Sequence, residues 1–295
     1  MIIGVFKDFI NFVRNPDDEQ LKCSFRDKLS ILIVLLAAHL LFLYIIAKPI
    51  LDLVESYVKF PPSPTTNFSM TETFWLFVIG IPFIEELVFR YYLRYQGLKT
   101  IILSRAKWNK YFPILVYVTC FLFSFLHLTN FPKRDLSIYL LSPIIVLPQV
   151  VGGLIITYLR VRHNFISGLF FHWLWNLFSI ILIPVMLYAC TDGFSESTSK
   201  YSISYEYVLF LNLKEKRFEF EEFDGRITRI NARSFPISQI IDTIFYRRYR
   251  TSNDHLINLK FESREGLTRD ELVLVLNSEF GVERQDSIKV LERKP

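Results

Sequence analysis

Cysteine is scarce in this 295-residue chain: Cys23, Cys120 and Cys190 stand far apart, and none lies in the polar last third. That spacing argues against a disulfide framework and against a Cys-rich zinc site. The sequence has no glycine-rich phosphate loop, no internal repeat, no low-complexity tract and no HExxH, so the familiar zincin arrangement is absent. It also lacks a basic patch interleaved with aromatics. The formal net charge of +5 therefore points to a membrane surface and away from nucleic acid. Charged residues are only 21% of the chain and are thinly spread over its first two-thirds.

What fills those two-thirds is apolar length. Hydrophobic residues make up 51% and aromatics 16%, with a mean hydropathy of +0.29. A spanning helix needs about 20 mostly apolar residues, and residues 29–54 meet that easily. Residues 74–93, 111–131, 136–160 and 164–190 follow, which predicts about five spans within 29–190. The first is too long for a signal-peptide core and no small-residue cleavage site follows it, so it is expected to be retained. Within residues 1–28, Ile2, Ile3, Phe6, Phe9, Ile10 and Val13 share one helical face, with Lys7, Asp8, Asn11 and Arg14 elsewhere. That pattern predicts an amphipathic helix in the headgroup layer, touching membrane lipids.

Lys and Arg concentrate in the N-terminal segment, after the second span (Arg94, Lys99, Arg105, Lys107, Lys110) and after the fourth (Arg160, Arg162). The positive-inside rule then puts the N-terminus in the cytoplasm, and five spans put the C-terminal region on the opposite side. Gly152 and Gly153 suit close helix approach, and Pro143, Pro148 and Pro184 suit kinks.

From about residue 200 the texture turns polar and mixed. YEYVLFLNL (205–213) and RFEFEEF (217–223) read as strands around the turn KEKR, SQIIDTIF (238–245) as a helix and LINLKFES (256–263) as a strand. Thr268 with Glu271 forms a capping-box signature ahead of a second helix over 271–280, and SIKVL (287–291) closes as a strand. The expected fold is mainly α: a multi-span transmembrane helix bundle with a small C-terminal α+β domain over 200–295.

Within the apolar region, the stretch IPFIEELVFRYYLR (81–94) carries Glu85, Glu86 and Arg90. A charge at a helix centre in lipid costs about 2.5–3.5 kcal/mol on insertion scales, so each needs a partner. Glu86 and Arg90 are i and i+4 and can pair, whereas Glu85 is rotated about 100° away and is left to face something else. His127 follows Phe123 by four residues, and Asn176 follows His172 by four. Each is bland alone; a charge-paired helix contact or a hydrogen-bonded core histidine would account for it. Together they make a convergent polar site.

Such a site can hydrolyse. A buried carboxylate can act as general base on water, a histidine can share that water, and a second His with an Asn amide can donate to an oxyanion. Glu85, His127 and His172 could equally hold zinc with an open position. At 1.5 Å per residue, Glu85 lies about 12 Å from the inner end of its span and His127 about 24 Å along the next. For them to meet, a span must be tilted, shifted or broken, near Pro82 or Pro113. Trp173 and Trp175 beside His172 fit a lipidic substrate groove and an aromatic belt equally well.

The ordered set Glu85-Glu86-x-x-x-Arg90, Phe123-x-x-x-His127 and His172-x-x-x-Asn176 resembles the motifs of the CPBP family. That family comprises the CAAX prenyl endopeptidases and the CAAX protease-like or ABI proteins. The resemblance covers about residues 70–190 and implies an intramembrane endopeptidase acting on a peptide or protein at the bilayer. It assigns water activation to Glu85 with His127, the oxyanion to His172 and Asn176, and to Arg90 the electrostatic support of Glu86. Metal dependence stays open at this level. Two other readings are a non-catalytic scaffold or immunity protein of the same fold, and a transporter. The intact motifs count against the first and the missing two-half repeat against the second. The final strand–helix–strand portion is similar in pattern to short N-terminal domains of secretins and TonB-dependent receptors.

Overall fold

The computed structural model describes residues 2–55, 57–58, 60, 66–131, 135–251 and 255–284. It divides into two units, Met1–Pro61 with Trp75–Phe178, and Pro62–Phe74 with Ser179–Pro295.

The first unit is helical, and so are residues 70–74 and 179–188 of the second. Helix α1 (Ile2–Arg14) is followed by α2 (Phe25–Leu41), whose N-cap Ser24 exchanges hydrogen bonds with Asp27 in a capping box. A π-helical segment, Phe42–Ala47, carries α2 into α3 (Lys48–Glu55) as one continuous helix. After α4 (Met70–Thr73) and a second π segment, Phe74–Gly80, comes α5 (Ile81–Phe89). Then follow α6 (Leu98–Ile102), α7 (Arg105–Leu126), a 3₁₀ turn His127–Asn130, α8 (Leu136–Ile145), α9 (Leu147–Arg162) and α10 (Phe165–Asn176). A third π segment, Leu177–Leu182, leads into α11 (Ile183–Tyr188).

Among the described residues, each of these π segments stops two residues before a proline: Pro49, Pro82 and Pro184. The cause is local chemistry. A proline ring clashes with the carbonyl four residues back, and widening the preceding turn to an i→i+5 register relieves it. That register must then end where its next donor would be the proline nitrogen, which carries no hydrogen.

Among the described residues, three helical stretches are long and apolar enough to cross a membrane: Phe25–Glu55, Arg105–Asn130 and Phe165–Tyr188. The pair α8 and α9, bent by 42° just before Pro148, qualifies as a fourth if it is one span. The stretch expected to span at 74–93 departs from that expectation. Its helix carries Glu72, Glu85 and Glu86, and it ends at Arg90, whose φ of −126° leaves the α region. Most of the large apolar side chains on the outer faces are exposed, among them Ile33, Ile45, Leu53, Leu122 and Met186, which is the surface lipid covers.

In lipid the apolar effect gives helices little reason to associate, so close approach and polar links must do it. Helix α9 occupies the centre and is buried from Ile155 through Arg162. Gly152 and Gly153 work as expected: a Cβ on Gly152 would stand 2.7 Å from His39 Cε1, and one on Gly153 3.2 Å from Arg90 Nη2. Arg160 and Arg162, counted above as loop charges, are buried in the last turn of α9. Arg162 reaches Asp17 (2.6 Å), and Asp8 accepts from Tyr158 (2.8 Å). Through these links α1 docks by Val5 and Phe12, with Phe9 and Phe12 edge-on to Tyr158. Phe12, outside the face read from sequence, is its most buried residue, whereas Ile3 and Ile10 stay exposed.

The second unit holds an antiparallel sheet of β1 (Phe194–Ser197), β2 (Ser202–Val208), β3 (Arg217–Phe223), β4 (Arg226–Pro236) and β6 (Leu256–Leu267), ordered β1-β2-β6-β4-β3. A separate pair joins β5 (Tyr249–Thr251) to β7 (Val282–Arg284). Helices α12 (Ile237–Ile244) and α13 (Arg269–Phe280) pack on one face over Ile230, Ala232, Leu259 and Phe261. The other face, at the alternate positions, carries Ser204, Glu206, Asn231, Arg233, Asn258 and Lys260. Both expected helices and the capping box at Thr268–Glu271 are present. The strands around KEKR, however, do not pair with each other. Residues 205–213 leave the strand after Val208, and β3 pairs with β4 instead. The expected closing strand at 287–291 lies outside the described residues.

Candidate active site

Helix α5 is nine residues long and carries both glutamates. It is fixed at each end by side chains from other helices. At its C-terminal end, Arg160 donates to the carbonyls of Arg90 (3.1 Å) and Tyr91 (2.8 Å), which a helix terminus leaves over. At the junction with the π segment before it, Trp173 Nε1 donates to Ile79 O (3.1 Å) and Asn176 Nδ2 to Phe77 O (2.7 Å).

Between those supports, Glu86 Oε1 lies 3.1 Å from Arg90 Nη1 and 2.9 Å from His172 Nδ1. All three side chains are buried. The guanidinium also rests over the Phe123 ring at 3.8 Å, which gives its apolar side a favourable face. A carboxylate paired with a permanent cation accepts hydrogen bonds, so the imidazole proton of His172 belongs on Nδ1. The other ring nitrogen, Nε2, then faces Glu85 Oε2 at 3.6 Å, beyond a direct hydrogen bond.

Glu85 is the carboxylate with access. Its side chain keeps 26% of its surface exposed against 1% for Glu86. The rotation of about 100° between neighbours on a helix separates their tasks: Glu86 faces the interior pair, and Glu85 the solvent-accessible side of His172.

His127 opens the 3₁₀ turn at the end of α7 and is half-buried. Its Nδ1 is 3.0 Å from Phe123 O, and its ring stands edge-on to Phe123 at 5.0 Å. His172 meets the same ring edge-on at 5.9 Å. Phe123 thus touches Arg90, His127 and His172 at once. The depth mismatch is resolved near Pro82, where the π register gives way to α5, and at Arg90, where the helix stops level with Phe123. Pro113 lies inside α7, which continues to Leu126.

Sequence reasoning named Glu85, Glu86, Arg90, His127, His172 and Asn176, and the structure brings Glu85, Glu86, Arg90 and His172 into one cluster. Asn176 is turned to a backbone carbonyl of the π segment. Trp173 and Trp175, left between a groove and a belt, make specific contacts: Trp173 on Ile79, and Trp175 stacked at 3.7 Å on the buried ring of His39. The supports at Trp173 and Arg160 were missed. The apolar neighbourhood of a polar-tipped Trp, and a Gly at 168 packed against Arg160, were their faint signals.

Zinc was the one cofactor the sequence left open. Among the described residues no group of three or more His, Cys, Asp or Glu side chains converges on a common point that could hold a metal ion. Glu85, His127 and His172 do not form such a set.

The site is thus an acid pair and an oriented imidazole held among apolar helices. Residues 67–178 match the family model described as Type II CAAX prenyl endopeptidase Rce1-like. That match supports the CPBP/CAAX protease family, a family of peptidases, for residues 67–178. No curated protein and no solved structure matches the chain.

Proposed function

We propose that this chain is an intramembrane endopeptidase that hydrolyses a membrane-associated peptide. The observation that carries the reading is the line Arg90–Glu86–His172, which ends 3.6 Å from the half-open carboxylate of Glu85. Glu85 takes the proton of a water held between it and the histidines, and the hydroxide adds to the scissile carbonyl. His127, with Nδ1 occupied by Phe123 O, presents Nε2 to that water. Glu86 fixes the ring plane of His172, whose outer nitrogen donates to the forming oxyanion only once it too carries a proton, beside the remaining amide N–H of Asn176. Glu85 then returns its proton to the leaving amine.

Protein groups that act only once water is bound between them suit a site that lipid otherwise keeps dry. The family match supports a peptidase and does not favour the scaffold or transporter readings. In this reading the protein is multi-pass, with its N-terminus cytoplasmic and residues 200–295 across the bilayer, where they recruit or screen substrates. The exposed stripe of Ile3 and Ile10 on α1 rests on lipid.

The test is cleavage of a membrane-peptide library by wild type and by folded Glu85→Gln, His127→Ala and His172→Ala variants, with and without chelator. Loss in each variant with no effect of chelator is expected. Equal cleavage by wild type and variants removes the proposal, and chelator-sensitive cleavage restored by zinc removes its metal-free chemistry.

A further inference from the structure

The π segment before α5 ends at Gly80. In an i→i+5 register its last donor is the N–H of residue 81, and the next bond would run from residue 82 to the carbonyl of Phe77. Residue 82 is proline and has no N–H to give. The carbonyl of Phe77 instead accepts Asn176 Nδ2 at 2.7 Å, and the carbonyl of Ile79, at the same change of register, accepts Trp173 Nε1 at 3.1 Å. Both donors come from α10, one turn apart, and His172 stands on that helix beside Trp173. Glu85 and Glu86 begin three residues after Pro82.

We infer that Asn176 and Trp173 are positioning residues. They replace the backbone donor that Pro82 removes, and so lock the height and rotation of α5 against α10, which sets Glu85 and Glu86 opposite His172. The motif asparagine thus has a positioning task in addition to the oxyanion contact proposed for its remaining N–H. A two-point attachment suits the job, because one bond fixes height alone and two fix rotation as well. A slip of one residue on α5 would turn Glu86 by about 100° away from His172.

The inference concerns geometry, so its test needs no substrate and stands or falls apart from the peptidase reading. The full chain in lipid bilayers is compared as wild type, Pro82→Ala, Asn176→Leu and the double variant. Two quantities are read: the unfolding equilibrium, and the rate at which a hydrophobic carbodiimide labels Glu85, located by mass spectrometry. Asn176→Leu should lower the unfolding constant's protection about fivefold to tenfold, the worth of one buried hydrogen bond, and change Glu85 labelling several-fold. Pro82→Ala, which restores a backbone donor in the same register, should return both values most of the way in the double variant. Trp173→Phe, which keeps the ring and removes only the N–H, should shift Glu85 labelling in the same direction and guards against a variant that fails to fold. Strict additivity of Pro82→Ala and Asn176→Leu overturns the inference. So does labelling of Glu85 that Asn176→Leu and Trp173→Phe leave unchanged.

Discussion

Replacing Arg90 by methionine is the perturbation on which the structure speaks most sharply. Methionine keeps most of the volume against Phe123 and removes the charge. Arg90 and Glu86 are 3.1 Å apart with side-chain exposures of 0% and 1%. At that distance the Coulomb attraction is about 5 kcal/mol at an effective dielectric of about 20. Little of this is net stabilisation, because both ions were taken out of water, but removing one partner leaves the other stranded. Arg90→Met should therefore destabilise by about 3–5 kcal/mol, the usual cost of orphaning a buried ion. Glu86→Gln together with Arg90→Met should come back to within about 2 kcal/mol of wild type, since the glutamine oxygen still accepts from His172 Nδ1 and no ion is left alone. Reversible unfolding in mixed micelles measures all variants on one scale. An Arg90→Met variant within about 1 kcal/mol of wild type would refute the reasoning, as would a double variant no more stable than the sum of the singles.

Two further expectations concern other parts of the molecule. Gly152→Ala should destabilise by about 1–3 kcal/mol, because its Cβ would lie 2.7 Å from a His39 ring already stacked on Trp175, whereas Gly153→Ala, at 3.2 Å from Arg90 Nη2, should cost less; thermal unfolding in detergent orders them, and the reverse order contradicts the packing. In the second unit, the bidentate bond from Arg269 holds the Glu222 carboxyl below its ordinary value of 4.5. A depressed folded value means stability present above the unfolded pKa and lost as pH falls through the folded one. Hydrogen exchange of β6 and α13 should thus separate wild type from Glu222→Gln fully above about pH 4.5 and less and less below it; a difference constant with pH contradicts the pairing.

How much of this was legible in the sequence follows from the range of the forces involved. The i,i+4 pairing of Glu86 with Arg90 is a property of helix geometry alone, and it is found. That Glu86 also takes His172, 86 residues away, is set by packing that no local pattern records. The π segments follow from Pro49, Pro82 and Pro184, residues visible in the sequence, yet a helical period of 3.6 hides a local widening. Arg160 and Arg162 were read as loop charges because a guanidinium beside an apolar run is usually on the water side; here helix ends and acids of other segments draw them inside.

In the second unit, β4 went unrecognised because irregularities at Ile227–Arg229 and Ala232–Phe235 interrupt its alternation. The overlooked clue was the Asp224–Gly225 pair. Its φ values of 48° and 69° make a two-residue turn that joins β3 to β4, and Asp-Gly between apolar alternations is a strong hairpin signal. KEKR drew attention instead, although the strands on either side of it are not neighbours in the sheet.

The most direct measurement is hydrolysis of a membrane-anchored peptide by the reconstituted chain in water enriched in oxygen-18. The new carboxyl terminus should carry one labelled oxygen, and Glu85→Gln, equally folded, should cleave about 10²–10⁴ times more slowly, the usual loss when a general base is removed. A Glu85→Gln variant that matches wild type in rate and labelling would contradict the account at its centre.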